Sequence, residues 1–338
     1  MTNYFRPLVQ IGPARPDTAL PLAGGWGWFT HAEVLSRSTP PRVVPAADIP
    51  ASVMARLTAP RPAMAGLTLD RPRIMGILNT TPDSFSDGGQ HNAVPDALRV
   101  AQKMVTAGAD ILDIGGESTR PGADFVPVSE EITRTAPVIA ALRGAGLKTP
   151  ISIDTRKAAV AEAAVSAGAN LVNDVSGFAF DPALGPLCQK LALPVCVMHA
   201  QGDPATMHLD PQYDNVLLDV FDALERQISM LEASGIPRGA ILADPGIGFG
   251  KTQDHNLALL ARLSLFHALG TPILLGVSRK RFIGTIGAAP QAQDRAPGSI
   301  AVALAGLGQG VQMIRVHDVE DTRQAVALWH AAYFGSIL

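Results

Sequence analysis

The chain has only two cysteines in 338 residues, Cys188 and Cys196, and no CxxC pair. That excludes a disulfide framework and a thiolate-rich metal site; both residues lie in or beside apolar runs and read as core thiols in a reducing compartment. Aromatic residues are scarce, at 5%, and the net charge is only −3. With no basic block interleaved with aromatics, nucleic acid and anionic membrane surfaces are excluded as main partners, and small molecules become the default ligands. No apolar run approaches the length of a bilayer span, and the opening MTNYFRPLVQ lacks the charged start and apolar stretch of a secretory leader, so the expected location is cytoplasmic. The histidines show neither HExxH nor any paired ligand spacing, which argues against tightly held zinc. Any metal is expected to be a hard cation bound together with an anion.

Proline is abundant, and its distribution divides the chain. Pro7, Pro13, Pro16, Pro21, Pro40, Pro41, Pro45, Pro50, Pro60 and Pro62 interrupt residues 1–70, where no long periodic segment survives. This stretch reads as an appendage packed on residues 71–338, with GGWGWFT (residues 24–30) as its aromatic packing patch. Beyond residue 70, eight short apolar or β-branched runs alternate with Ala/Leu-rich stretches of helical period: RIMGILN, DILDIGG, PISIDT, LVNDVS, PVCVMHA, ILADPG, PILLGVS and QMIRVHD. Strands separated by helices must run parallel, and continuous apolar runs mean strands buried on both faces. Eight such units predict an α/β fold and favour a closed (β/α)8 TIM barrel, carrying a Pro-rich N-terminal extension, over an open doubly wound sheet.

In a barrel of this kind the loops that follow the strands form the mouth where active sites lie. The runs end on Asn79, on Glu117 to Arg120, on Asp154 to Arg156, on Asn173 and Asp174, on Met198 and His199, on Asp244, on Ser278 to Lys280, and on Arg315, His317 and Asp318. Eight polar strand ends on one rim would each carry a desolvation cost unless something pairs with them. Arg279, Lys280, Arg315 and His317, from the last two ends, are donors suited to phosphate oxygens. Asp154, Asn173 and Asp244 suit the donor and acceptor edges of a flat nitrogen heterocycle. Taken singly, each of these residues could equally be a capping or salt-bridged side chain. GIGFGKT (residues 246–252) imitates a phosphate-binding P-loop, but that spacing needs glycine where Pro245 stands, so it reads as an ordinary loop after the sixth strand.

Two long segments, MGILNTTPDSFSDGG (residues 75–89) and GADILDIGGESTRPGA (residues 108–123), and the later SIDT, NDVSG, VMHAQGDPATM, ADPGIGFGK, GVSRKRFIG and IRVHDV in that order, make the chain from Arg73 onward resemble the dihydropteroate synthase family of pterin-binding barrels. The one departure noted is Ala200, where a second methionine is common. The resemblance implies a transferase of folate synthesis that joins 4-aminobenzoate to (7,8-dihydropterin-6-yl)methyl diphosphate and releases diphosphate. It implies that Asp154, Asn173 and Asp244 hold the pterin, with Met198 against the ring and Lys280 near both ring and phosphate. Arg315 and His317 would surround the diphosphate, with Asn79 as ligand of Mg2+. Thr119, Arg120 and Pro121 would belong to a second mobile loop, Phe85 and Asp87 to a first, and Pro121, Phe249, Ser278 and Arg279 to the surroundings of the aminobenzoate pocket. Asp154, Asp244 and Lys280 would be the catalytic set. A homodimer and a sulfonamide target follow by the same analogy.

The leaving group departs more easily when Mg2+ and fixed cations absorb its charge, and the electron-rich pterin spreads the positive charge left on the methylene carbon. The aniline of 4-aminobenzoate is neutral at pH 7, so no dedicated general base is expected. Residues 80–89 then read as a lid, with Gly88 and Gly89 as its hinge, that closes over diphosphate and excludes water. Two rivals stand beside this reading. A pterin-barrel methyltransferase acting on methyltetrahydrofolate would have no use for the phosphate-binding cations, and a catalytically silent pterin binder would release no diphosphate.

Overall fold

The computed structural model describes residues 2–81, 93–118, 125–202, 207 and 209–337. Five short strands open the chain: β1 (Tyr4–Pro7), β2 (Leu20–Pro21), β3 (Trp28–Phe29), β4 (His31–Leu35) and β5 (Arg42–Pro45), followed by helix α1 (Ala51–Thr58). β1, β4 and β5 form an antiparallel sheet, and β2 pairs with β3. Proline lacks the N–H of a ladder donor, and Pro7, Pro21 and Pro45 each close a strand where the ladder stops. The inner faces bury Phe5, Leu22, Phe29, Val34, Val44 and Leu57 in one cluster with Ala268 of the main body. Polar ties add to it: Ser264 Oγ donates to the Pro7 carbonyl (2.9 Å), Trp26 Nε1 to Leu307 (2.9 Å), and Arg61 Nη2 to His267 (3.0 Å).

The main body is a sheet of eight parallel strands. In chain order they are β6 (Arg73–Asn79), β7 (Ile111–Gly115), β8 (Ile151–Asp154), β9 (Leu171–Asp174), β10 (Val195–Met198), β11 (Ile241–Asp244), β12 (Leu274–Leu275) and β13 (Met313–Val316). Their order is β11-β10-β9-β8-β7-β6-β13-β12, and a single parallel bridge from Ala243 to Ile273 joins the two ends into a nearly closed barrel. The eight expected runs each contain one strand. β12 is much shorter than its run; before it, the Ile273 N–H is taken by the Gln312 side chain (2.9 Å). Helices α2 (Ala93–Thr106), α3 (Val128–Gly144), α4 (Ala158–Ala167), α5 (Leu184–Lys190), α6 (Val216–Ala233), α7 (Gln253–Leu260), α8 (Arg281–Ile286), α9 (Ala296–Leu307) and α10 (Val319–Phe334) make the crossovers. α6 and α7 start where the side chains of Asn215 and Thr252 accept backbone N–H groups that the first turn leaves free.

Side chains two residues apart point the same way from a strand. Met75, Ile111, Leu171, Cys196, Leu242, Leu274 and Met313 share one buried cluster, the lower layer of the barrel interior, into which Met64 and Leu69 also pack from the preceding segment. Two residues further along, the strands carry Ile77, Asp113, Asn173, Met198, Asp244, Gly276 and Arg315. The interior therefore changes from apolar to polar within one layer. Both cysteines are free and buried, and burial pushes the Cys188 thiol up to about 12. Among the described residues no helix is long and apolar enough to cross a membrane.

Candidate active site

Register sets the polar layer. β8 and β9 align Asp154 with Asn173, and β10 and β11 align Met198 with Asp244. Across the interior Arg315 reaches both acidic strands: its Nε donates to Asp113 Oδ2 (2.6 Å) and its Nη2 to Asp154 Oδ2 (2.8 Å). Asn173 Nδ2 donates to the same Asp113 oxygen (3.1 Å), which binds the set into one network. Asp113 is fully buried, and its other oxygen has no hydrogen-bond partner among the described residues. Asp244 accepts the Gly246 N–H at 2.7 Å.

Burial, only partly offset by Arg315 and reinforced by Asp113, pushes the Asp154 carboxyl up to about 7. Burial also raises Asp244, against the pull of the Gly246 N–H and of Lys280. For Arg315 burial works against the charge, but Asp113 and Asp154 outweigh it and hold the guanidinium above its ordinary value. The layer thus holds carboxylates whose protons are loosely decided, beside a cation whose charge is fixed. That arrangement suits a ligand presenting N–H donors to the acids and negative charge toward the cation.

On the cationic side, the Lys280 ammonium lies 4.1 Å from the centre of the Phe249 ring. Ser278 Oγ accepts the His317 backbone N–H (3.1 Å) and lies 2.9 Å from His317 Nδ1. If Ser278 donates its own proton to Nδ1, Nε2 keeps the imidazole proton for an anion. Arg279, like Arg315, already has a carboxylate partner within the protein. Its guanidinium is engaged in two bonds by Asp318, one of 3.1 Å, and its backbone N–H is held by Ser299 Oγ (2.8 Å).

The structure places Asp154, Asn173 and Asp244 on one inward layer with Met198, and it adds Arg315, expected with the phosphate-side cations, as the direct partner of Asp154. Asn79 closes β6. Phe85, Asp87, Thr119, Arg120 and Pro121, and with them residues 82–89 of the lid expected over 80–89, lie outside the described residues. Asp113 was missed because it sits inside an apolar run and not at its end. Its signal is the spacing of two from Ile111, which puts it on the inward face. Glu117 and Arg156 ended strands in the sequence, yet they build a buried structural tie. The Lys157 ammonium, 2% exposed, is bonded to Glu131 (2.6 Å), Glu117 (3.1 Å) and the Val126 carbonyl (2.6 Å), while Arg156 pairs with Glu117 (3.0 Å). Because Glu117 also accepts the Val126 N–H (3.1 Å), the tie holds Glu117 and Val126 together.

A family model described as "Pterin binding enzyme" matches residues 75–317. The dihydropteroate synthase of Escherichia coli strain K12 is 45% identical over 256 residues, 75% of this chain and 89% of that protein. A solved structure of Xanthomonas albilineans dihydropteroate synthase with 4-aminobenzoic acid is 46% identical, covers 79% of this chain and 96% of its own, and superposes with a TM-score of 0.75. Another, from the same organism in complex with 7,8-dihydropteroate, is 42% identical over 79% of this chain and 95% of its own, with a TM-score of 0.72. The chain belongs to the pterin-binding enzymes and, within them, to the dihydropteroate synthases, transferases of folate biosynthesis.

Proposed function

We propose that the polar layer divides the reaction into a pterin end and a diphosphate end. At the first, Asp154, Asp244 and Asn173 receive the amino-amidine edge of (7,8-dihydropterin-6-yl)methyl diphosphate, with Met198 against the ring. At the second, Lys280, Arg315 and the His317 imidazole face the diphosphate. The observation that carries this reading is Arg315, paired with Asp113 and Asp154 at 2.6 and 2.8 Å, which places a fixed cation directly beside the acidic edge.

Departure of diphosphate leaves positive charge on the methylene carbon, shared with the pterin ring. Fixed carboxylates facing that ring stabilise the charge without reorganising during the reaction. The neutral amine of 4-aminobenzoate, docked by Phe249, Ser278 and the loops that carry Phe85, Asp87, Thr119, Arg120 and Pro121, then attacks the carbon and loses its proton to water. Mg2+ fits the donor set. Asn79 closes β6 with a neutral amide oxygen, and among the described residues no group of three or more His, Cys, Asp or Glu forms a metal cage. A hard cation carried by diphosphate needs only one or two protein oxygens. Bound there, it would neutralise charge building on the leaving group.

The test is diphosphate release by the purified chain with the pterin diphosphate and Mg2+, with and without 4-aminobenzoate. Release that depends on 4-aminobenzoate and yields dihydropteroate is expected, and its absence overturns the assignment. We further propose that residues 1–70 are an ordered decoration without a catalytic part, that the chain acts in the cytoplasm, and that it forms a homodimer, which light scattering after gel filtration decides.

A further inference from the structure

The loop after β11 contains a lysine that the division above does not use. Lys251 is 5% exposed, and its ammonium lies within hydrogen-bond reach of four acceptors: His199 Nδ1 (2.9 Å), the His199 carbonyl (3.2 Å), the Gly246 carbonyl (2.9 Å) and the Phe249 carbonyl (3.0 Å). No carboxylate lies within ion-pair distance of it among the described residues. A buried charge held only by neutral acceptors costs stability that a surface loop has no reason to bear, unless the geometry it imposes is used elsewhere.

We propose that Lys251 is a positioning residue: its ammonium ties the 246–250 turn to the end of β10 and so sets Asp244 and Phe249, and with Phe249 the adjoining Lys280, for substrate binding. The proposal rests on the assignment above and names what holds that site in shape.

The turn is built to come close. Gly246, at φ +67°, would place a Cβ 1.9 Å from the His199 carbonyl oxygen, and Gly250, at φ +60°, would place one 2.5 Å from that of Gln201. Only glycine allows both the left-handed backbone and the approach. At one end of the turn the Gly246 N–H fixes Asp244 (2.7 Å) while the Gly246 carbonyl accepts from Lys251; at the other, Phe249 offers its carbonyl to Lys251 and its ring to Lys280 (4.1 Å). One ammonium therefore ties the backbone under a pterin-binding acid to the backbone under an aromatic wall of the second pocket.

The tie carries its full positive charge only below neutral pH, while the amine still donates to the carbonyls above it. Burial, partly countered by Asp244 and reinforced by Lys280, lowers Lys251 to about 7. Burial and Lys251 lower His199 to about 3, with Arg226 adding to and Asp219 opposing the effect, so the imidazole is neutral and free to accept the bond.

The experiment compares wild type with Lys251→Met in three readouts: kcat and KM for both substrates, affinity for 7,8-dihydropteroate by calorimetry, and hydrogen exchange of residues 246–250 without ligand. The expected result is a rise of about tenfold or more in KM for the pterin diphosphate, a parallel loss of dihydropteroate affinity, a kcat changed by less than about threefold, and faster exchange confined to the turn. A lysine that merely supports the fold would lower the melting temperature and the active fraction and leave KM and the local exchange unchanged; that result overturns the proposal. Should Lys251→Met not fold, Lys251→Gln, shorter and uncharged, is measured in the same three readouts, and an unchanged KM with unchanged exchange overturns the proposal equally. If wild type neither binds dihydropteroate nor releases diphosphate, the functional assignment fails, while the exchange data still judge the tie.

Discussion

Asp154 carries the heaviest demand of any single residue in the layer, because the same carboxylate must pair with Arg315 at 2.8 Å and receive the substrate. Replacing it with Asn keeps shape and removes charge, so kcat/KM for the pterin diphosphate should fall by about a hundredfold or more with little change in melting temperature. Its titration gives a second outcome. Burial raises Asp154 to about 7, so below that pH the folded protein holds a proton there and the acceptor is lost. The kcat/KM profile should therefore fall as pH drops below about 7, by up to about tenfold per unit, and Asp154→Asn should flatten that limb. The stability linkage has the opposite sign. With its folded value above the unfolded 3.8, the group's contribution is full below that value and lost as pH rises through about 7.

At the scale of elements, two connections hold the mouth in register. The first is the buried tie of Lys157, Glu131, Glu117 and Arg156 between β7 and α4. Lys157→Met leaves Glu131, fully buried, without its cation, and should cost about 3 to 5 kcal/mol in urea unfolding. The second is the glycine turn after β11. Gly246→Ala meets the His199 carbonyl at 1.9 Å in a backbone region that side chains rarely adopt, so a folded variant should have lost pterin affinity in calorimetry. Neither tie was legible along the chain. Glu117 and Arg156 ended strands like the expected site residues, and GFGKT resembled a phosphate loop; the partners that give Glu117, Arg156 and Lys251 a structural part include groups on elements distant in sequence.

At the scale of the whole molecule, the first 60 residues share an apolar cluster with the barrel through Phe29, Leu57 and Ala268, and ion pairs join Arg37 to Asp219 (2.7 Å) and Asp222 (2.8 Å) on α6. Deleting residues 1–60 should lower the melting temperature by several degrees and expose protein to aggregation, measured by calorimetry and light scattering. Met64 and Leu69, by contrast, pack in the lower barrel layer with Met75 and Met313, so a truncation that stops at residue 60 keeps that layer intact.

The sequence by itself determined the alternation of eight parallel strands with helices and favoured a barrel over an open doubly wound sheet; the closure, through the bridge from Ala243 to Ile273, was decided in the tertiary structure. It also determined most of the rim, because polar residues that end buried strands must face the mouth. Only the tertiary structure decided which of those polar groups are met by a partner. Arg315 pairs with Asp113 across the interior, Arg279 is taken by Asp318, Glu117 by Arg156, and Lys251 by backbone carbonyls. Strand direction and alternation are local properties of the chain. Charge pairing inside the barrel depends on which strands the sheet order brings within reach, as β7 and β13 both flank β6, and that proximity is not written in sequence spacing.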